Sequence, residues 1–379
     1  MTLTEVLQPL CVKCGIHHQS SRRAVVKGQC CNKCPHHGPW CTSRSVGHST
    51  RVIAKCTKVR KPIEQTKAEK SCCRHMLSLV RYGAGKSCHF DFVCRGFQGR
   101  RTYMEDRFCA SLNLPGHEHC ALFGIFDGHG GAEVAELVAK ALPRALSACL
   151  SRTNDPADAL ISAFQHVDIA LWHSRGVLRG QHPYDWIGST AVVVLVVREA
   201  ERRLLFCANC GDSRAVLCRS GGTIGHLSVD HKPENPLERR RIEDAGGTVR
   251  RLGPCFRVDA DLNLSRSFGD FAFKTKSDLA FEQQKIISVP EIREFVLEPN
   301  DDFIAIGSDG VFDAMSSETL IKHVRDALDD NKDLECVVQS ALMRTTSGHD
   351  NATLCLVRLL DDSIPGLVPK MACCPGGSA

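Results

Sequence analysis

Long apolar segments are missing from this 379-residue chain. No stretch approaches the roughly 18 consecutive apolar residues of a membrane-spanning helix, and the N-terminus lacks the apolar run of a secretory signal. The apolar content of 43% is still enough to bury a sizeable core. These absences predict a protein with no membrane span, located in the cytoplasm, the nucleus or both.

Acidic residues are scarce in the first quarter of the chain. Residues 1–95 carry 17 Lys or Arg against 4 Asp or Glu, and they hold 11 of the 22 cysteines. The remainder is acidic, because the whole chain has a net charge of only +5. Composition therefore predicts a basic extension over residues 1–95, a main domain over 96–362 and a tail over 363–379.

The cysteines of the extension suggest a metal site, since disulfides are not expected in a chain without an export signal. Cys11 and Cys14 are followed, after sixteen residues, by Cys31 and Cys34, which fits a two-knuckle zinc pattern. Such a module could be an adaptor or contact nucleic acid through its positive charge. A disordered basic extension and a transit peptide are alternatives that the residues leave open.

After residue 95, short apolar runs alternate with helical patterns and turns. A few charged residues join the runs 191–197 and 203–208, which predicts an antiparallel hairpin and argues against an all-parallel sheet. Pro143 is expected to kink or interrupt a helix predicted over 132–150. The other predicted strands are 121–126, 214–218, 303–307 and 352–359, and the other helices are 237–245, 317–328 and 334–344.

Acidic residues recur at the ends of these strands. Asp127, Asp212 and Asp309 follow apolar runs directly or after a few small residues, whereas Asp350 precedes one. A single Asp-Gly pair usually marks only a turn. The small residues after Asp127, however, lead into a helical pattern instead of a returning strand, so the hairpin explanation fails there.

Convergence of these acids would imply bound cations. Glu105 and Asp106 form a further acidic site, and so many carboxylates at one edge of packed sheets would need positive charge. Carboxylate and carbonyl oxygens suit Mg²⁺ or Mn²⁺, whereas zinc would be expected to recruit Cys and His. Two such ions can activate a water molecule against an oxyanionic substrate such as a phosphate ester.

The acids belong to an ordered set of motifs over roughly residues 96–360. Together these motifs resemble the metal-dependent protein serine/threonine phosphatases of type 2C, and so many matches in order are hard to obtain by chance. In chain order they are Arg101-x-x-Met104-Glu105-Asp106, Phe126-Asp127-Gly128-His129-Gly130-Gly131, Gly188-Ser189-Thr190-Ala191, Gly211-Asp212-Ser213-Arg214, Asp230-His231-Lys232-Pro233, residues 243–247, Leu264-Ser265-Arg266-Ser267-Phe268-Gly269-Asp270, Ser308-Asp309-Gly310-Val311-Phe312-Asp313 and His349-Asp350-Asn351-Ala352.

The resemblance implies an α+β fold, a four-layer α-β-β-α sandwich of two antiparallel β-sheets flanked by helices, with a metal centre at one end. It also implies hydrolysis of phosphoserine and phosphothreonine in phosphoprotein substrates by a monomeric catalytic domain, through direct attack of a water bound to two Mg²⁺ or Mn²⁺ ions. The implied metal ligands are Asp127 as the bridge, the carbonyl of Gly128, Asp309, Asp350, and Glu105 and Asp106 through water.

By the same resemblance, Arg101 binds the substrate phosphate and His129 is the general acid for the leaving oxygen. Asp212 and Asp313 match positions that hold a third metal in some members, and turn stabilisation is their alternative role. A catalytically silent phosphate-binding adaptor of the same fold is the alternative function. The presence of every metal acid makes that alternative the weaker one.

The segment 233–258 resembles the variable flap beside the family's cleft. Residues 250–256 are a few residues longer than the family pattern, and Asp259-Ala260 stands where Asn-Gly is common. These departures affect the expected turn geometry and substrate preference, and leave the chemistry unchanged.

Overall fold

Two antiparallel β-sheets packed face to face form the centre of the fold. The computed structural model describes residues 79–174, 183–345 and 350–360. Its strands are β1 Leu79–Lys86, β2 Phe90–Phe97, β3 Arg107–Ser111, β4 Cys120–Phe126, β5 Gly128–His129, β6 Gly188–Ser189, β7 Ala191–Arg198, β8 Arg203–Cys210, β9 Arg214–Cys218, β10 Ile224–His226, β11 Val249–Leu252, β12 Cys255–Val258, β13 Phe268–Gly269, β14 Glu291–Leu297, β15 Phe303–Gly307 and β16 Ala352–Leu359. Its α-helices are α1 Glu133–Leu150, α2 Pro156–Ser174, α3 Pro236–Asp244, α4 Asp309–Phe312, α5 Ser317–Asp329 and α6 Leu334–Arg344.

The two large sheets contain six and five strands. The first has the order β1-β2-β16-β15-β9-β10 and the second β14-β8-β7-β4-β3, and all neighbouring strands in them are antiparallel. The predicted hairpin is confirmed, because Ala191 pairs with Cys210 and Arg198 with Arg203. Two small sheets, β13-β6-β5 and β11-β12, lie outside the sandwich.

Apolar residues divide into layers that match the alternation of each strand. Between the sheets, the ring of Phe123 on β4 packs edge-on against Phe90 and Phe92 on β2, at centroid distances of 6.0 and 5.4 Å. Helices α1 and α2 cover the outer face of the second sheet, and α5 and α6 cover the outer face of the first. The four-layer α-β-β-α sandwich is therefore confirmed.

Three features differ from the sequence-based expectations or were missed by them. Helix α1 is continuous from Glu133 to Leu150, so Pro143 does not interrupt it, because buried neighbours such as Leu142 and Leu146 hold the helix on the sheet. Helix α2 was not predicted, although Asp155 caps it by accepting the backbone N–H of Ala157 at 2.8 Å. The first sheet starts at β1, so the compositional boundary at residue 95 falls inside β2.

The remaining sequence-based expectations concern the ends of the chain and membranes. The zinc pattern of Cys11, Cys14, Cys31 and Cys34 lies outside the described residues, as does the tail 363–379. None of the helices in the described ranges is both long and apolar enough to cross a bilayer.

A buried carboxylate ties α3 to the loop before β13. Glu238 accepts hydrogen bonds from Arg266 at 2.6 Å, Arg241 at 2.8 Å and Ser265 at 2.7 Å. Burial raises the pKa of Glu238, but the hydrogen bond and charges of Arg266 and Arg241 outweigh it and lower that pKa to about 2.

We expect Phe123→Ala to destabilise the fold by about 3–5 kcal/mol, because it empties a fully buried site between the sheets. Urea denaturation measures the change. Val296→Ala is the control, since Val296 on β14 is 46% exposed and its loss should cost much less. Equal losses for the two variants would contradict this account of the core.

We expect Glu238→Gln to cost about 3 kcal/mol of unfolding free energy at pH 7, with a smaller cost at pH 3. A lowered folded pKa stabilises the fold above the unfolded value of about 4.3, and this stability is lost as the pH falls through about 2. Urea denaturation at both pH values measures it. Glu243→Gln, on the exposed side of α3, is the control. If Glu238→Gln cost the same free energy at both pH values, the charge explanation would be refuted.

Candidate metal centre

The predicted acids come together at one end of the sandwich, from both sheets. Asp127 directly follows β4 and Asp212 lies in the turn after β8, whereas Asp309 follows β15 and Asp350 precedes β16. The charges of Asp309, Asp106 and Asp212 all act on Asp127. The structure therefore unites acids that lie far apart in the sequence.

Hydroxyl groups fix the backbone of Asp127. The Asp127 N–H donates to Thr190 Oγ1 at 3.2 Å, and the Thr190 N–H donates to the Asp127 carbonyl at 2.8 Å. Thr190 Oγ1 in turn lies 2.8 Å from Ser213 Oγ, beside Asp212. Two of the sequence motifs thus serve to hold the acid-bearing turns together.

Gly128 permits a close approach between two of these turns. A Cβ atom added at Gly128 would lie only 2.8 Å from the carbonyl oxygen of Glu105. Any side chain here would push apart the turns that carry Asp127 and Glu105. Position 128 therefore requires glycine because there is no space for a side chain.

The carboxyl groups raise one another's pKa. Burial and the charges of Asp309, Asp106 and Asp212 raise the pKa of Asp127 well above its usual value. Burial, followed by the charge of Asp212, raises the pKa of Asp309 to about 7, and burial raises the pKa of Asp106 to about 6. Burial also raises the pKa of Glu105 and of Asp313. The site therefore resists full ionisation unless positive charge is added.

Asp106 offers a free acceptor inside this cluster. Ser308 Oγ donates to Asp106 Oδ2 at 2.8 Å, while the buried Oδ1 has no hydrogen-bond partner. An unpaired buried carboxylate oxygen suits a hard cation or a water held by one. The residues present thus fit oxygen-preferring divalent ions.

Cationic side chains of the protein engage two of the acids. Arg101 Nη2 donates to Asp350 Oδ2 at 2.6 Å, and Lys232 Nζ bonds to Asp212 Oδ2. Across residues 79–174, 183–345 and 350–360, no three Asp, Glu, His or Cys side chains are arranged so that they could hold a metal ion together without moving. Asp212 and Asp350 are instead turned toward Lys232 and Arg101.

His129 is held by an aspartate for which no role was predicted. His129 Nε2 lies 2.7 Å from Asp270 Oδ2, and Ser267 Oγ also donates to this carboxylate oxygen. Burial opposes the charged imidazolium, but the charge and hydrogen bond of Asp270 leave the His129 pKa raised. Asp270 ends the motif Leu264–Asp270. Its backbone is left-handed, with φ of 49°, a conformation that Asp adopts only occasionally and that the sequence does not predict.

A buried ion pair supports the turn that carries Asp270. Asp168 on α2 accepts from Lys274 Nζ at 2.7 Å and from the Gly269 N–H at 2.8 Å. Lys274 Nζ also donates to the carbonyl of Ser267 at 2.9 Å. The unpredicted helix α2 therefore contributes to the position of His129.

The described cysteines take no part in the acid cluster. All eleven are free, and most are buried in the apolar layers. Burial raises the pKa of Cys109, Cys207 and Cys210 to about 12. Their thiols are protonated at neutral pH and behave as small apolar side chains.

Known proteins are similar to this chain in sequence. Residues 90–346 match the family model of protein phosphatase 2C. The probable protein phosphatase 1N of Mus musculus is 40% identical over 268 residues, which cover 69% of this chain and 62% of the mouse protein. The protein phosphatase 2C homolog 2 of Schizosaccharomyces pombe is 36% identical, over 69% of this chain and 71% of the yeast protein.

A solved structure extends the likeness. The structure of a phosphatase from a pathogenic strain of Toxoplasma gondii gives a TM-score of 0.63 at 26% identity, and the match covers 72% of this chain and 93% of that one. Since the family model spans more than half of the chain, this chain belongs to the protein phosphatase 2C family of serine/threonine protein phosphatases.

Proposed function

We propose that this chain hydrolyses phosphoserine and phosphothreonine in proteins with two Mg²⁺ or Mn²⁺ ions held by the acid cluster. The observation that carries the proposal is the crowding of buried carboxyl groups around Asp127, whose pKa is raised by burial and by the charges of Asp309, Asp106 and Asp212, and which added positive charge would relieve. Two ions bound there would acidify water and neutralise the charge of the phosphate. The family relationship supports the same chemistry.

The ligand roles are those that the family resemblance implies. Asp127 would bridge the ions, and the charges of Asp309 and Asp106 on its carboxyl group support this role. The other ligands would be the Gly128 carbonyl, Asp309 and Asp350, with Glu105 and Asp106 acting through water. A third ion would use Asp212 and Asp313 together with Asp309, and the charge of Asp212 on Asp309 and Asp313 supports this grouping.

Arg101 would bind the substrate phosphate at the rim of the site. Its side chain is 57% exposed, and one nitrogen contacts Asp350. The guanidinium has five N–H donors in a planar fork, so several remain for phosphate oxygens.

His129 would protonate the leaving serine or threonine oxygen. With Nε2 donating to Asp270, the ring is fixed and Nδ1 is the nitrogen left to deliver a proton. Asp270 is then a positioning residue, because it would act on the substrate only through the imidazole.

We further propose that the catalytic domain acts as a monomer in a reducing compartment, the cytoplasm or the nucleus. Its apolar layers are covered by helices of the same chain, which supports a self-sufficient domain. Free thiols throughout the described part of the chain support a reducing environment.

We expect Asp127→Asn to lower kcat/KM for a phosphopeptide by at least about 100-fold, because one metal-bridging charge is lost. Calorimetric titration with Mn²⁺ should show weaker binding in the same variant. Asp326→Asn, at an exposed position of α5, is the control for both measurements. Full activity of the wild type in excess EDTA, or phosphate binding without turnover, would refute the proposal and favour a silent adaptor.

We expect His129→Gln and Asp270→Asn to lower kcat on a phosphoserine peptide by about 100-fold, with a much smaller loss on p-nitrophenyl phosphate. The alkoxide of serine needs a proton to leave, whereas nitrophenolate leaves readily without one. Steady-state kinetics on both substrates measure the difference. Equal losses on the two substrates would show that the pair does not act in leaving-group protonation.

A further inference from the structure

The hairpin β11-β12 presents one side of its two strands away from the protein. Val249 pairs with Val258, and both side chains are buried in a cluster that includes Phe273. Residues opposite each other in antiparallel strands share a side, and sides alternate along each strand. Arg250, paired with Arg257, therefore lies on the opposite, outward side.

The outward side carries positive charge with no carboxylate to balance it. We name Arg250, Leu252 and Arg257 the arginine face. Arg250 is exposed, Leu252 is 44% exposed, and a guanidinium nitrogen of Arg257 donates to the backbone carbonyl of Asp261. Within the described ranges neither Arg250 nor Arg257 forms a salt bridge, and residues 249–258 contain no acid.

This arrangement is unfavourable in the isolated hairpin. Like charges directly across an antiparallel pair destabilise it, and Arg250 and Arg257 are such a pair. The positive charge of the arginine face contrasts with the rest of the domain, since residues 96–379 carry eight more acidic than basic side chains. A bound anion would relieve the repulsion.

The base of the hairpin is joined to the turn that holds His129. Phe273, in the cluster below Val249, packs edge-on against Trp186 at 5.8 Å. Phe273 also belongs to the 3-10 turn that starts after Asp270, the partner of His129. A segment bound on the arginine face would thus lie on a hairpin that packs against the turn carrying Asp270.

We propose that the arginine face binds an acidic segment of the phosphoprotein substrate, so that the enzyme prefers phosphosites accompanied by carboxylates or further phosphates. Planar guanidinium forks match both groups bidentately. A nucleic acid fits less well, because the acidic domain repels an extended polyanion and the face offers only two forks. This inference rests on the proposed phosphatase function and adds the substrate class.

The test compares two phosphothreonine peptides on the full-length protein with Mn²⁺, one with four Glu after the phosphosite and one with four Gln. The variant is Arg250→Gln with Arg257→Gln. Its matched control is Arg239→Gln with Arg240→Gln, two exposed α3 arginines that are already paired with Glu243 and Asp244. Hydrolysis of p-nitrophenyl phosphate reports on the proposed function independently.

The wild type and the control should prefer the Glu peptide by about three- to tenfold in kcat/KM, and the preference should fade as salt rises from 50 to 500 mM. The hairpin variant should lose the preference while its rate on p-nitrophenyl phosphate is unchanged. The variant Arg250→Lys with Arg257→Lys should retain part of the preference for the Glu peptide.

Three results would overturn the inference: no preference in the wild type, a preference that survives in the hairpin variant, or one lost equally in the control. Stronger competition by a single-stranded oligonucleotide than by the Glu peptide would also overturn it, in favour of nucleic acid. If the wild type did not hydrolyse p-nitrophenyl phosphate, this would instead count against the proposed function.

Discussion

Repulsion between carboxylates at one end of the sandwich is the constraint on which the site depends. Asp127 and Asp309 are carried by different sheets, yet the charge of Asp309 acts on Asp127 and the charge of Asp212 acts on both. They cannot move apart freely, because the hydrogen bonds from Asp127 to Thr190 and from Ser308 to Asp106 fix the acid-bearing turns, and the apolar layer between the sheets fixes the strands. The energy spent in holding these charges together becomes affinity for cations when cations bind.

A second layer of interactions extends from the core of the domain to His129. The buried pair Asp168–Lys274 holds the turn around Gly269, and Asp270 in that turn holds the imidazole. Each link is short and lies in a region of low dielectric, where a hydrogen bond is stronger and more directional than in water. Helix α2 thereby contributes to a site that it does not itself reach.

Local patterns predicted the strands and the acids at their ends, because both can be recognised from consecutive residues. The Val-rich run of β7 and the Asp-Gly turn after β4 can be read without knowing their neighbours. The partnership of His129 with Asp270 could not be read in this way, since 141 residues separate them and only the docking of β13 beside β6 brings them together.

The same limit applies to side chains whose role depends on a neighbour. Arg101 was predicted to bind phosphate, but its contact with Asp350 arises only from the folded loop before β3. The continuous helix through Pro143 reflects tertiary packing that outweighs a local rule. Asp259 and Ala260 likewise keep a left-handed turn, with φ of 50° and 67°, that Asn-Gly would adopt with less strain.

The protonated thiols of the interior have a consequence for chemical durability. Peroxides and alkylating reagents attack thiolates, and burial keeps Cys109, Cys207 and Cys210 in the unreactive form. Of the cysteines in the described part of the chain, Cys88 and Cys336 are the exposed ones, and both lie outside the acid cluster. A chain that is rich in cysteine can therefore keep this site insensitive to thiol-directed reagents, because the site contains carboxylates and an imidazole but no thiol.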